Sequence, residues 1–246
     1  MEASSTSYWG RLASMIWSDD WIYRDAHYLV ADMDIDEAAA CRWVPKPLRL
    51  AHPARASIFT AWFPTNTFGS QYREAGLFLH VEHHGRTALY SPWMLVDDDV
   101  ALILGRELLG YPKKLGEIDF AIDGDRIRAV ARRRGTELLR MEGTLREPVA
   151  DPPPMLGRPH RNVRASLGVS LPKVLAFTPR ENAIEVRRTE LTVTVGSSVR
   201  DPLAELGFGR IRASYLHRVN LSGGLPMPVG LAWPLDFLRQ VLLRTH

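Results

Sequence analysis

A chain of 246 residues, 46% apolar and 24% charged, is long enough to bury one sizeable core without disulfides or metals. Its formal net charge of only +3 supplies no basic tract for following phosphates, so nucleic acid is not expected as a partner. The single cysteine, Cys41, cannot close an internal disulfide, the N-terminus lacks the apolar core of a secretory signal, and no stretch approaches the roughly 20 apolar residues that span a bilayer. A reducing, cytoplasmic setting without membrane contact is therefore expected.

In chain order, Tyr8, Trp9, Leu12, Met15 and Ile16 recur at helical spacing and predict a short amphipathic helix, a packing arm or subunit contact within an N-terminal extension over residues 1–21. Tyr28 to Val30 and Ser57 to Phe63 read as strands. Between them a short helix over Asp36 to Arg42 is stopped by Pro45 and Pro47, and Cys41 within it reads as a buried structural thiol. Gly76 to Val81 and Arg86 to Tyr90 flank the turn His83-His84-Gly85 and predict a hairpin. Asp97-Asp98-Asp99 places negative charge at the start of an apolar helix running to Leu108, which Gly110 and Pro112 end. Ile118 to Ile122 and Ile127 to Ala131 surround the hairpin signal Asp123-Gly124, and Gly135 turns the chain again before Glu137 to Met141. The prolines between Asp151 and Pro159 predict an extended crossing loop. Strands follow near Val174 to Phe177, Ala183 to Arg188 and Leu191 to Val195, and Leu235 to Leu243 reads as a closing amphipathic helix. Strands do not alternate with long helices, so the expected fold is α+β, an antiparallel sheet or barrel-like core with a few short helices, in one domain over residues 1–246.

Lys113-Lys114 carries the chemical interest. A lysine with the reference pKa near 10.4 presents only about one free amine in a few thousand at neutral pH. Burial and a nearby second cation both disfavour the ammonium and make such an amine a usable nucleophile. Here Lys113 is the candidate nucleophile, Lys114 the neighbouring charge, and Tyr111 with the helix before it the walls of a dry pocket. Taken alone, two adjacent lysines read as a solvated surface pair.

The surroundings argue otherwise. Gly105-Arg106-Glu107-Leu108-Leu109-Gly110-Tyr111-Pro112-Lys113-Lys114-Leu115-Gly116 resembles the active-site segment of the acetoacetate decarboxylase family. Val44-Pro45-Lys46-Pro47-Leu48 is similar to that family's Val-Pro-x-Pro-Leu element, and Tyr72-Arg73-Glu74 to its Tyr-x-Glu element. The later strands after Asn162 follow in similar order, so the resemblance covers most of the chain from about Ile22. It implies an acetoacetate decarboxylase-like fold, a homo-oligomer, a small keto acid substrate, an imine formed on Lys113 and an active-site role for Glu74. No metal or organic cofactor is implied, because the lysine itself supplies the electron sink.

Two departures stand out. The family's decarboxylases carry a second active-site glutamate after a phenylalanine in the preceding strand, where this chain reads Phe59-Thr60. The family's N-terminal arginine, which binds or orients the substrate carboxylate, has its nearest counterpart in Arg24. Met94, beside Trp93, is a further candidate for lining the pocket. The leading expectation is a lyase that decarboxylates a β-keto acid such as acetoacetate. Thr60 leaves open an aldol addition, dehydration or cyclisation on pyruvate or another keto acid, and a third alternative is a non-catalytic ligand-binding relative. His83-His84 and Arg132-Arg133-Arg134 read as turn or surface features, and Ser222-Gly223-Gly224 lacks the surrounding pattern of a phosphate loop or nucleophile elbow.

Overall fold

Three two-residue turns and long alternating strands generate most of the architecture. The computed structural model describes residues 22–164 and 171–238. The amphipathic helix expected before Ile22 and the end of the helix expected beyond Leu238 lie outside the described residues; residues 234–238 are helical. The first half of the chain forms β1 (Tyr23–Asp34), α1 (Glu37–Trp43), β2 (Arg49–Leu50), β3 (Arg55–Phe63), β4 (Thr65–Asn66), β5 (Tyr72–His83), β6 (Arg86–Val96), α2 (Asp99–Glu107) and β7 (Lys113–Leu115). The second half forms β8 (Glu117–Asp123), β9 (Arg126–Arg133), β10 (Thr136–Pro148), β11 (His160–Arg164), β12 (Lys173–Phe177), β13 (Arg180–Val195), a 3-10 turn at Leu203–Leu206, β14 (Ile211–Ser222) and β15 (Met227–Leu231).

All strands belong to one sheet, ordered β15-β12-β11-β6-β5-β3-β1-β14-β13-β10-β9-β8, with β2 beside β5, β4 beside β1 and β7 beside β6. Pairing is antiparallel except that β7 and β11 each join β6 in parallel. Among the described residues the hydrogen-bonded path is open, yet β8 packs against β3, β5 and β6, so the sheet curls over itself in the expected barrel-like manner.

Strand alternation divides the apolar residues between two faces. On β5, Ala75, Leu77, Leu79 and Val81 enter a core shared with Trp93, Leu95 and the curled-over Ile127 and Met141. Tyr72 and Phe78 point the other way and pack with Tyr28, Phe59, Phe63 and Met94. Ala101 and Leu102 of α2 cover this second face, which is where the candidate site lies. Asp98 caps α2 by accepting from Ala101 N at 2.7 Å, as the acidic run predicts, and Gly110 ends it in the left-handed region at φ +69°.

Several expectations change. The region after α2 is not merely a loop, since Lys113–Leu115 adds a strand to β6. The two strands expected between Ala183 and Val195 are one 16-residue strand. β11, β14 and β15 are additional. Cys41 is exposed, because α1 buries Ala39, Ala40 and Trp43 and turns the thiol outward. Among the described residues no helix is long and apolar enough to cross a membrane.

Candidate active site

Register brings the expected lysine and glutamate together. Glu74 pairs with Val96 and Gly76 with Met94 across β5 and β6, while Lys113 on β7 pairs with Met94. Glu74 and Lys113 thus project onto the same face from the two strands that flank β6, and Lys113 Nζ lies 2.6 Å from Glu74 Oε2. Both are almost completely buried, at 5% and 6% exposure. The Lys113 stem passes α2 at a glycine. A Cβ on Gly105 would stand 2.6 Å from both Cδ and Cε of Lys113.

The pair faces a cavity of about 170 Å³ whose lining is mainly aromatic and aliphatic, with Glu74 and Lys113 as its only charged members among the described residues. Lys113 Nζ stands 5.5 Å from the Tyr72 ring centroid and 6.0 Å from that of Tyr111. Burial foremost, with the Glu74 carboxylate contributing, holds the phenols of Tyr28, Tyr72 and Tyr111 well above their ordinary 10 and pushes Tyr23 up to about 12. All four remain neutral at physiological pH, so the walls carry no competing charge. Ser222, Gly223 and Gly224 also line the cavity.

The other candidates are placed differently. Lys114, one residue along a strand, points to the opposite face and forms an ion pair with buried Asp201. Asp201 also accepts from Trp93 Nε1 at 2.9 Å and Arg133 Nη1 at 3.0 Å. Burial lowers the Lys114 pKa while Asp201 opposes that shift. Thr60 is fully buried on the core face, its hydroxyl 3.8 Å from Met141 Sδ, so it does not face the cavity. The residue opposite Glu74 on β3 is Ala61. Arg24 is exposed on β1, and its neighbour Tyr23 lines the cavity instead. Met94 lies buried beside Lys113 in the packing beneath the site.

Three residues that the sequence does not mark as site candidates support the walls. Tyr111 Oη lies 3.2 Å from His160 Nδ1, and Asn162 Nδ2 donates to Leu109 O at 2.9 Å. The Glu181 carboxylate accepts from the backbone N–H groups of Met155, Leu156 and Gly157, fixing the loop that brings Leu156 to the cavity. No local signal marks them, since each acts across a gap of at least 24 residues.

A family model described as acetoacetate decarboxylase matches residues 7–229. Acetoacetate decarboxylase 1 of Bradyrhizobium diazoefficiens is 32% identical over 101 residues, 41% of this chain and 40% of that protein. Acetoacetate decarboxylase of Chromobacterium violaceum is 34% identical over 90 residues, 37% of this chain and 36% of that protein. The matching segments therefore span about two-fifths of these relatives' length. In three dimensions, a chain from structural studies of acetoacetate decarboxylase superimposes with a TM-score of 0.80 at 17% identity, covering 86% of this chain and 89% of that one. The enduracididine biosynthesis enzyme MppR, complexed with pyruvate, gives a TM-score of 0.74 at 17% identity, covering 83% and 88%. These low identities speak to the fold, while the family model spans most of the sequence. The chain belongs to the acetoacetate decarboxylase family.

Proposed function

We propose that this protein is an imine-forming lyase that decarboxylates a β-keto acid such as acetoacetate through Lys113. The observation that carries this reading is the buried contact between Lys113 Nζ and Glu74 Oε2, 2.6 Å apart, facing an aromatic cavity. In its amine form Lys113 attacks the ketone carbon, and the carbinolamine loses its hydroxyl as water with a proton from Glu74, leaving a protonated imine. Cleavage of the carbon–carboxylate bond sends its electron pair into the iminium, giving carbon dioxide and an enamine. Glu74, reprotonated from solvent after the dehydration, passes a proton to the enamine carbon, and water then hydrolyses the iminium to free the ketone and Lys113. The overall reaction consumes one proton per carbon dioxide released.

Two features favour decarboxylation. A carboxylate among aromatic walls loses its hydration, and departure as neutral carbon dioxide relieves that cost. The cavity's 170 Å³ also resembles the roughly 150 Å³ that accommodates benzene in an engineered protein core, which suits a compact substrate of about acetoacetate's size. The exposed, solitary Cys41 is compatible with a cytoplasmic setting. The apolar residues exposed on edge strand β15 offer a surface for homo-oligomer contacts.

Ala61 opposite Glu74 favours a second reading, in which the same imine serves aldol addition, dehydration or cyclisation with Glu74 as the sole carboxylate shuttle. MppR, which shares the fold, is found complexed with a condensation product of pyruvate and imidazole 4-carboxaldehyde, a product of this reaction class. Borohydride reduction with acetoacetate or pyruvate, followed by peptide mass spectrometry, is expected to add the reduced keto acid, or the ketone left by decarboxylation, to Lys113. Carbon dioxide release from acetoacetate, compared with enone formation from pyruvate and an aldehyde, separates the two reactions. No adduct with any keto acid, and unchanged ligand binding in Lys113→Ala, would instead favour a non-catalytic binding protein.

A further inference from the structure

His160 opens β11 behind the cavity and is fully buried, yet it is absent from the cavity lining. Its Nε2 lies 3.2 Å from Leu156 O. A carbonyl oxygen can only accept, so Nε2 carries the imidazole proton and Nδ1 is left as an acceptor. The Tyr111 hydroxyl, 3.2 Å from Nδ1, must therefore donate to it. Burial pushes the His160 pKa down to about 3, in keeping with a neutral ring of one fixed tautomer. The imidazole is itself clamped, stacked on Phe177 at 5.1 Å and set edge-on to Phe78 at 5.2 Å.

Asn162 projects from the same face of β11 two residues later, also fully buried. It donates to Leu109 O at 2.9 Å and accepts from Ser91 N at 3.4 Å. Together the two side chains fix Leu109, Tyr111 and Leu156, three cavity-lining residues, from behind. The Tyr111 hydroxyl is held in this buried network, while its ring stands 6.0 Å from Lys113 Nζ.

We propose that His160, assisted by Asn162, is a positioning residue that holds the Tyr111 ring toward Lys113, so that positive charge on the imine nitrogen meets an aromatic surface. This rests on the imine reading of the site. A charge near an aromatic ring is attracted most strongly when both are desolvated, as here. His160→Phe would retain bulk and stacking but leave the buried Tyr111 hydroxyl without its acceptor, allowing the ring to turn.

The test is a double-mutant cycle read by the rate of borohydride trapping at Lys113 with acetoacetate, alongside nitrogen NMR of the histidine rings. His160→Phe is expected to slow trapping about tenfold with little change in the half-saturating keto acid concentration. It should cause no further loss in a Tyr111→Phe background, whereas His160→Gln, which keeps an acceptor, should recover most of the rate. The His160 Nδ1 resonance should move in Tyr111→Phe, a measurement that needs no substitution at His160. Equal slowing by His160→Phe in both backgrounds, or an unmoved Nδ1 resonance, overturns the positioning role. Wild-type protein that is never trapped at Lys113 overturns the imine reading and this inference together; trapping without coupling overturns the inference alone.

Discussion

Gly105 lets the Lys113 stem pack closely against α2. Alanine normally stabilises a helix interior by about 1 kcal/mol over glycine, so Gly105→Ala should not unfold α2. Its methyl would nevertheless meet the Lys113 stem at 2.6 Å and push the amine from Glu74. The expected result is a folded protein with little change in Tm whose borohydride trapping falls sharply; full trapping would show that the stem can reroute. Glu74→Gln should slow both imine trapping and turnover, turnover by about 10²-fold or more, because the amide cannot move protons. Equal turnover in Glu74→Gln would remove Glu74 from the chemistry. Lys113 and Glu74 were legible because each lies in a short sequence element. Thr60 was less so: a strand exposes alternate side chains, so a one-residue offset exchanges cavity for core, and only the paired register identifies Ala61 as Glu74's neighbour.

β7 shows how an element of three residues separates two adjacent lysines into different roles. Lys113 faces the cavity, while Lys114 and Asp201 form a buried pair tying β7 to the chain after β13. Removing one member leaves the other desolvated, so Lys114→Ala should destabilise the fold by about 3 kcal/mol in urea melts. Asp201→Asn should have a larger effect, since Lys114, Arg133 and Trp93 all lose their anionic acceptor. A loss below about 1 kcal/mol in Lys114→Ala would mean that water enters and solvates Asp201. The hairpins were legible because the turns at His84-Gly85 and Arg134-Gly135 require positive φ at both positions, and Gly124 supplies it beside Asp125. β7 and the sheet order were not, because parallel addition to β6 and the β1–β14 pairing are long-range choices without a local turn to announce them.

Across the whole molecule, burial depresses several imidazoles: His160 to about 3, His80 to about 4, and His27 and His217 below their ordinary 6.5. The unfolded chain takes up these protons near pH 6.5, whereas folded His160 remains neutral until about pH 3, so folding stability falls as the pH drops through this interval. For fully buried His160 the linkage amounts to about 2 kcal/mol by pH 5. The paired carboxylates act in a lower window. Arg218 and Arg212 hold Asp25 and Asp34 below their ordinary 3.8, so their contribution is present above that value and fades only in stronger acid. Urea midpoints measured between pH 8 and pH 5 should therefore be level above about 7 and decline below 6.5. His160→Gln should flatten this decline by about 2 kcal/mol, even if its stability at pH 7 is lower. An unchanged slope in His160→Gln would show that folded His160 takes up a proton as readily as the unfolded chain, and would remove the basis for a neutral imidazole behind Tyr111.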